Sequence, residues 1–334
     1  MKRFFVFSLL VLLSASTLVA QKGEPVIECN GVALYGKIKS AKISYYQVTQ
    51  MGGKDVELPQ GAYSFALHKG GAIKEQVEYD ANGAIIRKEV SKLNSKGQEL
   101  ESCLIAYDPK AYVAYKLKYE HDAKGNIVST VIYNADGAID EKYSMKYDAN
   151  GNMIERVKYD GTGAMQSKNI ADYTADGKMT FTAQYGADHS LEWKTLVKYN
   201  SNGLRTEEIS YSGDGTLEWR NELKHDSKGN LLGGTKYAAD GTVVHTRLVE
   251  YDANNNITLD AQCDKDGNVL NKVECKYDSN GNVIEYCEYD NTGLVEKTFV
   301  KYDSNNNPIE YVFTSPSSDT PTMKILIDIT YYKK

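Results

Sequence analysis

The sequence predicts an all-β protein: a long antiparallel meander of short strands, rolled or coiled into a trough or shell. Three observations lead there. A Tyr-Asp-x-x-Gly corner recurs from about Tyr79 to Tyr302. The composition is rich in strand-forming Tyr and turn-forming Gly and poor in Pro, with 26 Tyr, 27 Gly and 6 Pro in 334 residues. Between corners, side chains alternate between an apolar and a wet face, the pattern of a half-buried antiparallel sheet.

In chain order, residues 1–20 read as a secretory signal peptide. Lys2 and Arg3 precede the apolar run Phe4 to Leu13, and small residues follow at Ser14 to Ser16. The run falls short of the ~20 apolar residues of a spanning helix. Without Lys2 and Arg3 the balance is 37 basic to 45 acidic residues, so the mature net charge is −8. Basic and acidic residues alternate instead of forming a basic stripe, which argues against a nucleic-acid partner. Residues 21–78 form an N-terminal β segment, with strands expected over Gly36 to Gln50 and Ala62 to His68.

Residues 79–313 form the repeat array. Taking the Tyr-equivalent as anchor, spacings from 121 to 289 alternate between 12 and 14, a superperiod of 26 residues. The position four after the anchor is Gly in fourteen of eighteen corners, and Asn255 and Asn306 replace it in two more. An Asp capping a type I turn and a positive-φ residue closing it as a G1 bulge describe one object, a hairpin corner. Ala111 and His189 are therefore expected to sit in distorted corners. Counting even steps from each corner Gly puts Met153, Glu155, Val157 and Tyr159 on one face, which is expected to turn inward. Arg156, Lys158, Thr182, Gln184 and Asp260 fall on the other. About nineteen strands exceed the ~10 of an ordinary open sheet, so the sheet must curl. Residues 314–334 supply a loop and a last strand.

Cys103, Cys263, Cys275 and Cys287 all fall on the expected inner face by this count. Hairpin register holds Cys275 and Cys287 roughly 13 Å apart along the strand, too far for a disulfide. Buried free thiols are expected.

Tyr147-Asp148-Ala149-Asn150-Gly151-Asn152 and Tyr277-Asp278-Ser279-Asn280-Gly281-Asn282 resemble the YD repeat of RHS-type proteins. Most similar are the secreted bacterial YD-repeat proteins of modest size. The resemblance covers about residues 79–311 and, more weakly, both ends. It implies a sheet coiled into a shell and roles in surface interaction, carbohydrate binding or enclosing a partner. The family has no common catalytic residues to transfer. The core segment and toxin of its large-shell members are not found here, so a toxic cargo is not expected.

Chemistry-bearing constellations are sparse. The five His (68, 121, 189, 225 and 245) lack metal-ligand spacing. Asp264-Lys265-Asp266-Gly267 lacks the bidentate Glu of a calcium loop. No metal, cofactor or enzymatic activity is expected.

One place stands out. Trp193 and Trp219, the only tryptophans, are 26 residues apart, and His245 continues their column. The expected register sets Glu207 beside Trp219 and places Asn221, Gly233 and His245 in one row, with Arg247 nearby. Gly233-Gly234 is expected to leave a gap. Aromatic platforms beside amide, carboxylate and guanidinium groups suit a sugar; alternatively, the tryptophans fill the widest part of the rolled sheet. An outer-membrane barrel also alternates with Tyr girdles, but Glu155, Asn169, Glu207, Asn221 and Arg247 sit where lipid would require apolar groups.

The expected protein is an exported, non-enzymatic interaction or scaffold module of the periplasm or cell surface. Its partner is a protein or a glycan, and it does not itself span the membrane. Two alternatives stand beside this: a carbohydrate-binding module using the Trp pair, and an accessory or plug-like subunit of an outer-membrane secretion complex.

Overall fold

The structure is a computed structural model that describes residues 25–30, 32–108, 110–318 and 320–333. The expected signal peptide lies outside these. Among the described residues there are 24 strands and no helix. The first five are β1 (Ile27–Cys29), β2 (Val32–Leu34), β3 (Ile38–Met51), β4 (Lys54–Leu67) and β5 (Ile73–Tyr79). β6 (Ile85–Leu93), β7 (Glu99–Tyr107), β8 (Ala111–His121), β9 (Ile127–Asn134) and β10 (Ile139–Tyr147) open the array. It continues as β11 (Met153–Asp160), β12 (Met165–Tyr173), β13 (Met179–Gly186), β14 (Leu191–Tyr199) and β15 (Arg205–Ser212). Next come β16 (Leu217–His225), β17 (Leu231–Ala238), β18 (Val243–Tyr251), β19 (Ile257–Cys263) and β20 (Val269–Tyr277). β21 (Val283–Asp290), β22 (Gly293–Tyr302), β23 (Pro308–Thr314) and β24 (Pro321–Tyr331) complete the chain.

β1 and β2 form a separate hairpin. From β3 to β24 each strand bonds to the next, and β24 returns antiparallel to β3, so in hydrogen-bond order the sheet is a closed barrel. The antiparallel meander is as expected. The curled sheet closes on itself instead of remaining an open trough, because the N-terminal β3 supplies the partner that the last strand would otherwise lack.

The corner chemistry accounts for the meander. At Tyr147, Asp148 Oδ1 accepts the N–H groups of Asn150 (2.9 Å) and Asn152 (2.8 Å), and Oδ2 accepts Asn152 Nδ2 at 2.8 Å. The Gly151 N–H donates to the Asp148 carbonyl at 3.2 Å, and a bulge follows between Lys146 and Tyr147. Asn255 and Asn306 adopt the positive φ of the Gly they replace, 65° and 60°. His189 does the same at 65° and keeps both turn bonds, so that corner is regular, contrary to expectation. The Ala111 corner is irregular: Tyr107 pairs directly with Ala111 and the register shifts at Leu104/Ile105 instead.

Anchor tyrosines have a defined task. The hydroxyls of Tyr147, Tyr199 and Tyr277 donate to the carbonyls of Ile127, Met179 and Ile257 at 2.9, 2.8 and 2.7 Å. Each therefore stitches the end of its own strand to the start of the preceding corner's strand.

The chain divides into two compact units. One comprises the described residues up to Lys88 with Tyr251–Leu259 and Val273–Lys334; the other comprises Glu89–Glu250 with Asp260–Lys272. The first holds the main hydrophobic core. Ile27, Val32 and Leu34 of the β1–β2 hairpin are buried with Ile43, Phe65, Phe313, Ile325 and Ile327. The fully buried Asn307 pins the hairpin's exit. Its Oδ1 accepts the Tyr35 N–H at 2.7 Å and its Nδ2 donates to the Tyr35 carbonyl at 3.0 Å.

In the second unit one sheet face carries a ladder in which each glutamate meets two cations. Glu155 is held by Lys146 and Lys168 at 2.7 and 2.6 Å, and Glu207 by Lys198 at 2.5 Å and Arg220 at 3.7 Å. The same arrangement recurs in the first unit, where Glu285 meets Lys276 at 3.0 Å and Glu310 meets Lys301 at 2.8 Å. The two lysines on either side of Glu155 hold its carboxyl below the usual range. This side is the lysine–glutamate face; the other carries the tryptophans.

None of Cys29, Cys103, Cys263, Cys275 and Cys287 is joined in a disulfide. The expectation that four share one face fails for one pair. Lys276 bonds Glu285, so both lie on one face; Cys287, two residues on from Glu285, shares it, whereas Cys275 points the other way.

Candidate functional site

The expected site spans β14 to β18, which lie within the second unit except for Tyr251 at the end of β18. Trp193 pairs in register with Gln184 and Ser212, and Trp219 with Ser210 and Ala238. Paired residues share a face, so the two indoles lie on one side with Gln184, Ser210 and Ser212. Each is half-buried. From Ser212 to Ser210 the register steps back two residues, roughly 7 Å along the strands, while two strand spacings separate the indoles by about 10 Å. The column is therefore slanted, and its rings are separate platforms rather than jaws around one ring.

The row through Asn221 differs from expectation. It runs Glu208, Asn221, Lys236 and His245. Lys236 stands where Gly233 was expected. Gly233 pairs with Lys224 and Leu248, and Glu207 with Glu222, which places both on the lysine–glutamate face, away from the tryptophans. The cause is the bulge at each corner. Its extra residue exchanges the odd and even faces between successive strands, so an unbroken count from each Gly assigns alternate strands to opposite sides.

The Gly233-Gly234 gap is also corrected. A Cβ on Gly233, whose φ is +135°, would lie 1.9 Å from the Arg247 carbonyl oxygen, and one on Gly234 would lie 2.4 Å from that of Glu222. Neighbouring backbone fills the space. Both glycines let β17 press against its partner strands.

Around the indoles the polar groups are ordered. Lys236 Nζ stands 4.9 Å from the Trp219 ring centroid. Asn221 Nδ2 donates to Glu208 Oε2 at 3.4 Å, and Arg205 Nη1 pairs with the other Glu208 oxygen at 2.5 Å. Arg247 grips Asp260 through two bonds of 2.8 and 2.5 Å. The His245 imidazole is pushed below its ordinary pKa, first by burial and then by the Lys236 charge. The structure therefore brings together Trp219, Asn221, His245 and, two residues further along β18, Arg247. Trp193 joins as a second platform, and Glu207 and Gly233 do not join. Lys236, Glu208 and Asp260 were missed; pairing strands through the bulge would have found them.

Among the described residues, no group of three or more His, Cys, Asp or Glu is arranged to hold a metal ion. No described helix is long and apolar enough to cross a membrane, which leaves membrane crossing by strands unaddressed.

No family model matches the chain, and neither does any curated protein. Among solved structures it is similar to the Photorhabdus luminescens Tc holotoxin pore carrying the TccC3-D651A mutation. That match has a TM-score of 0.40 and 11% identity over 93% of this chain and 20% of that one. The TcdB2–TccC3 crystal structure gives a TM-score of 0.27 and 12% identity over 79% of this chain and 20% of that one. A porin-like protein from Bacteroides uniformis gives 0.31 and 10% over 89% of this chain and 100% of that one. The chain thus spans about a fifth of the Tc toxin chains it matches.

Proposed function

We propose that this is an exported, non-enzymatic YD-repeat barrel that works as an interaction module of the bacterial envelope, binding a protein or glycan. The observation that carries the reading is the tryptophan face of β14–β18. There, two half-buried indoles stand beside a lysine, an amide, an imidazole and a clamped guanidinium. Aromatic surface with a few fixed polar groups is the composition of a recognition surface. The remainder of the repeat is spent on structure: Asp and Gly on corners, Tyr on strand ends, and Lys with Glu on ladders.

The reading keeps the protein out of the lipid. Mid-strand positions carry Glu155, Lys168, Glu207 and Arg220 on one face and Asn169, Gln184, Asn221 and Lys236 on the other. A lipid-facing band has to be apolar across its middle. Crosslinked pull-down from intact envelopes tests the proposal. A specific partner lost on Trp219→Ala is the expected result; recovery of the full-length chain alone from every fraction refutes it.

The tryptophan platforms specifically favour a glycan, since sugar CH faces stack on indoles while hydroxyls meet amide and charged groups. Fluorescence quenching by glycans, abolished in Trp219→Ala, distinguishes this reading from a protein partner.

A further inference from the structure

We infer that the Trp219 site takes an acidic saccharide, with the sugar ring on the indole and its carboxylate on Lys236. This rests on the glycan reading above and goes beyond it by naming the charge of the ligand.

The repeat supplies its own control. Three superperiods before Lys236 stands Lys158, in the same register: Lys158 pairs with Tyr143 and Ser167 as Lys236 pairs with Asn221 and His245. Lys158 Nζ is neutralised by Glu141 Oε1 at 2.5 Å. The position equivalent to Glu141 is Trp219: Glu141 pairs with Asp160 as Trp219 pairs with Ala238. At this one row the repeat has exchanged the lysine's carboxylate for an indole. Among the described residues no carboxylate lies within ion-pair distance of Lys236, and its ammonium rests over the Trp219 ring instead.

A cation over an aromatic face is held weakly where solvent reaches it, and it exchanges that contact readily for a charge-assisted hydrogen bond. A ligand carboxylate on Lys236 therefore restores the Glu141–Lys158 bond and uncovers the indole for the ring that carries it. Asn221 and His245 flank Lys236 on the same row and can meet neighbouring hydroxyls. A carboxylate is favoured over a bulkier anion because the lysine's own equivalent is matched by a carboxylate. A saccharide is favoured over an acidic peptide because what replaced the glutamate is a flat stacking surface.

The test is a fluorescence titration of the mature Trp193→Phe protein, which leaves Trp219 as the sole indole, with galacturonate hexamer, cellohexaose and hexaglutamate. Galacturonate is expected to quench, with the other two far weaker. Lys236→Met is expected to weaken galacturonate binding by about tenfold or more, and Lys236→Arg to retain it. The His245 imidazole, followed by NMR, should titrate at higher pH in the complex, because the bound carboxylate offsets the Lys236 charge. Circular dichroism confirms that each variant is folded. Equal binding of cellohexaose, unaffected by Lys236→Met, overturns the acidic ligand and leaves the glycan reading standing. Hexaglutamate binding as well as galacturonate overturns the saccharide in favour of a peptide. Binding of none of the three overturns the inference, and the envelope pull-down separately decides the interaction role.

Discussion

Truncating Ile43 tests where this protein's stability resides. Ile43 is fully buried in β3, in the cluster that the β1–β2 hairpin completes with Phe65, Ile325 and Ile327. Ile43→Ala removes three carbons; at ~0.8 kcal/mol per buried methylene the transfer loss is about 2.4 kcal/mol. The cavity left in a packed site raises the total to about 3–4 kcal/mol. The same truncation at Ile209 of β15, which is only half-buried, should cost about 1 kcal/mol. Urea unfolding checks both, read as a shift in midpoint at constant slope. Far-UV circular dichroism follows the sheet, while fluorescence follows Trp193 and Trp219, both in the second unit. Equal losses for the two variants would refute the claim that the hairpin cluster dominates.

Gly233→Ala should cost about 2–4 kcal/mol, since its Cβ would collide with the Arg247 carbonyl at a φ suited to glycine; a melting temperature equal to the parent's would contradict the close approach. Asp176 and Asp214 are lowered from 3.8 to about 2 by hydrogen bonds from Lys178 and from Ser212. Their folded pKa values lie below the unfolded ones, so their stabilisation is present above pH 3.8 and is lost as pH falls through about 2. Acid titration by circular dichroism should therefore show stability declining across that window. The lowered His245 makes the folded state bind fewer protons than the unfolded chain, so its contribution declines as pH falls below 6.5, and His245→Gln should flatten that part of the profile. Thiol labelling of the denatured, non-reduced protein should find all five cysteines reactive; a disulfide between Cys275 and Cys287 would contradict their assignment to opposite faces.

The corner was legible because its determinants are local. Asp148, Gly151 and Asn152 lie within five residues of one another, and their hydrogen bonds follow from side-chain type alone. Asn255 and Asn306 were legible for the same reason. The relation between faces was legible only through the bulge: the corner Gly marks it, and its one extra residue shifts every later side chain to the other side, which an unbroken count from each Gly ignores. Glu207 and Gly233 were misplaced for this cause, and Lys236 was overlooked. Closure was not legible. It depends on β3 meeting β24, and nothing in either strand names the other. The Lys–Glu ladder could have been found: a lysine just before the anchor Tyr and a glutamate nine residues later recur at Lys146/Glu155, Lys198/Glu207, Lys276/Glu285 and Lys301/Glu310.

Asn307 ties Tyr35 across 272 residues, and the Tyr332 N–H reaches the Lys37 carbonyl at 3.0 Å. Chain growth therefore meets a delay. The hairpin and β3 leave the ribosome well before the β22–β24 surface that buries them is made. In between, the meander can zip up corner by corner through neighbouring contacts, which is fast. The most apolar part of the protein must wait for the far end, with its surface open to water or to a chaperone. A truncation that removes β24 should accordingly leave the nascent chain aggregation-prone at its beginning rather than at its cut end.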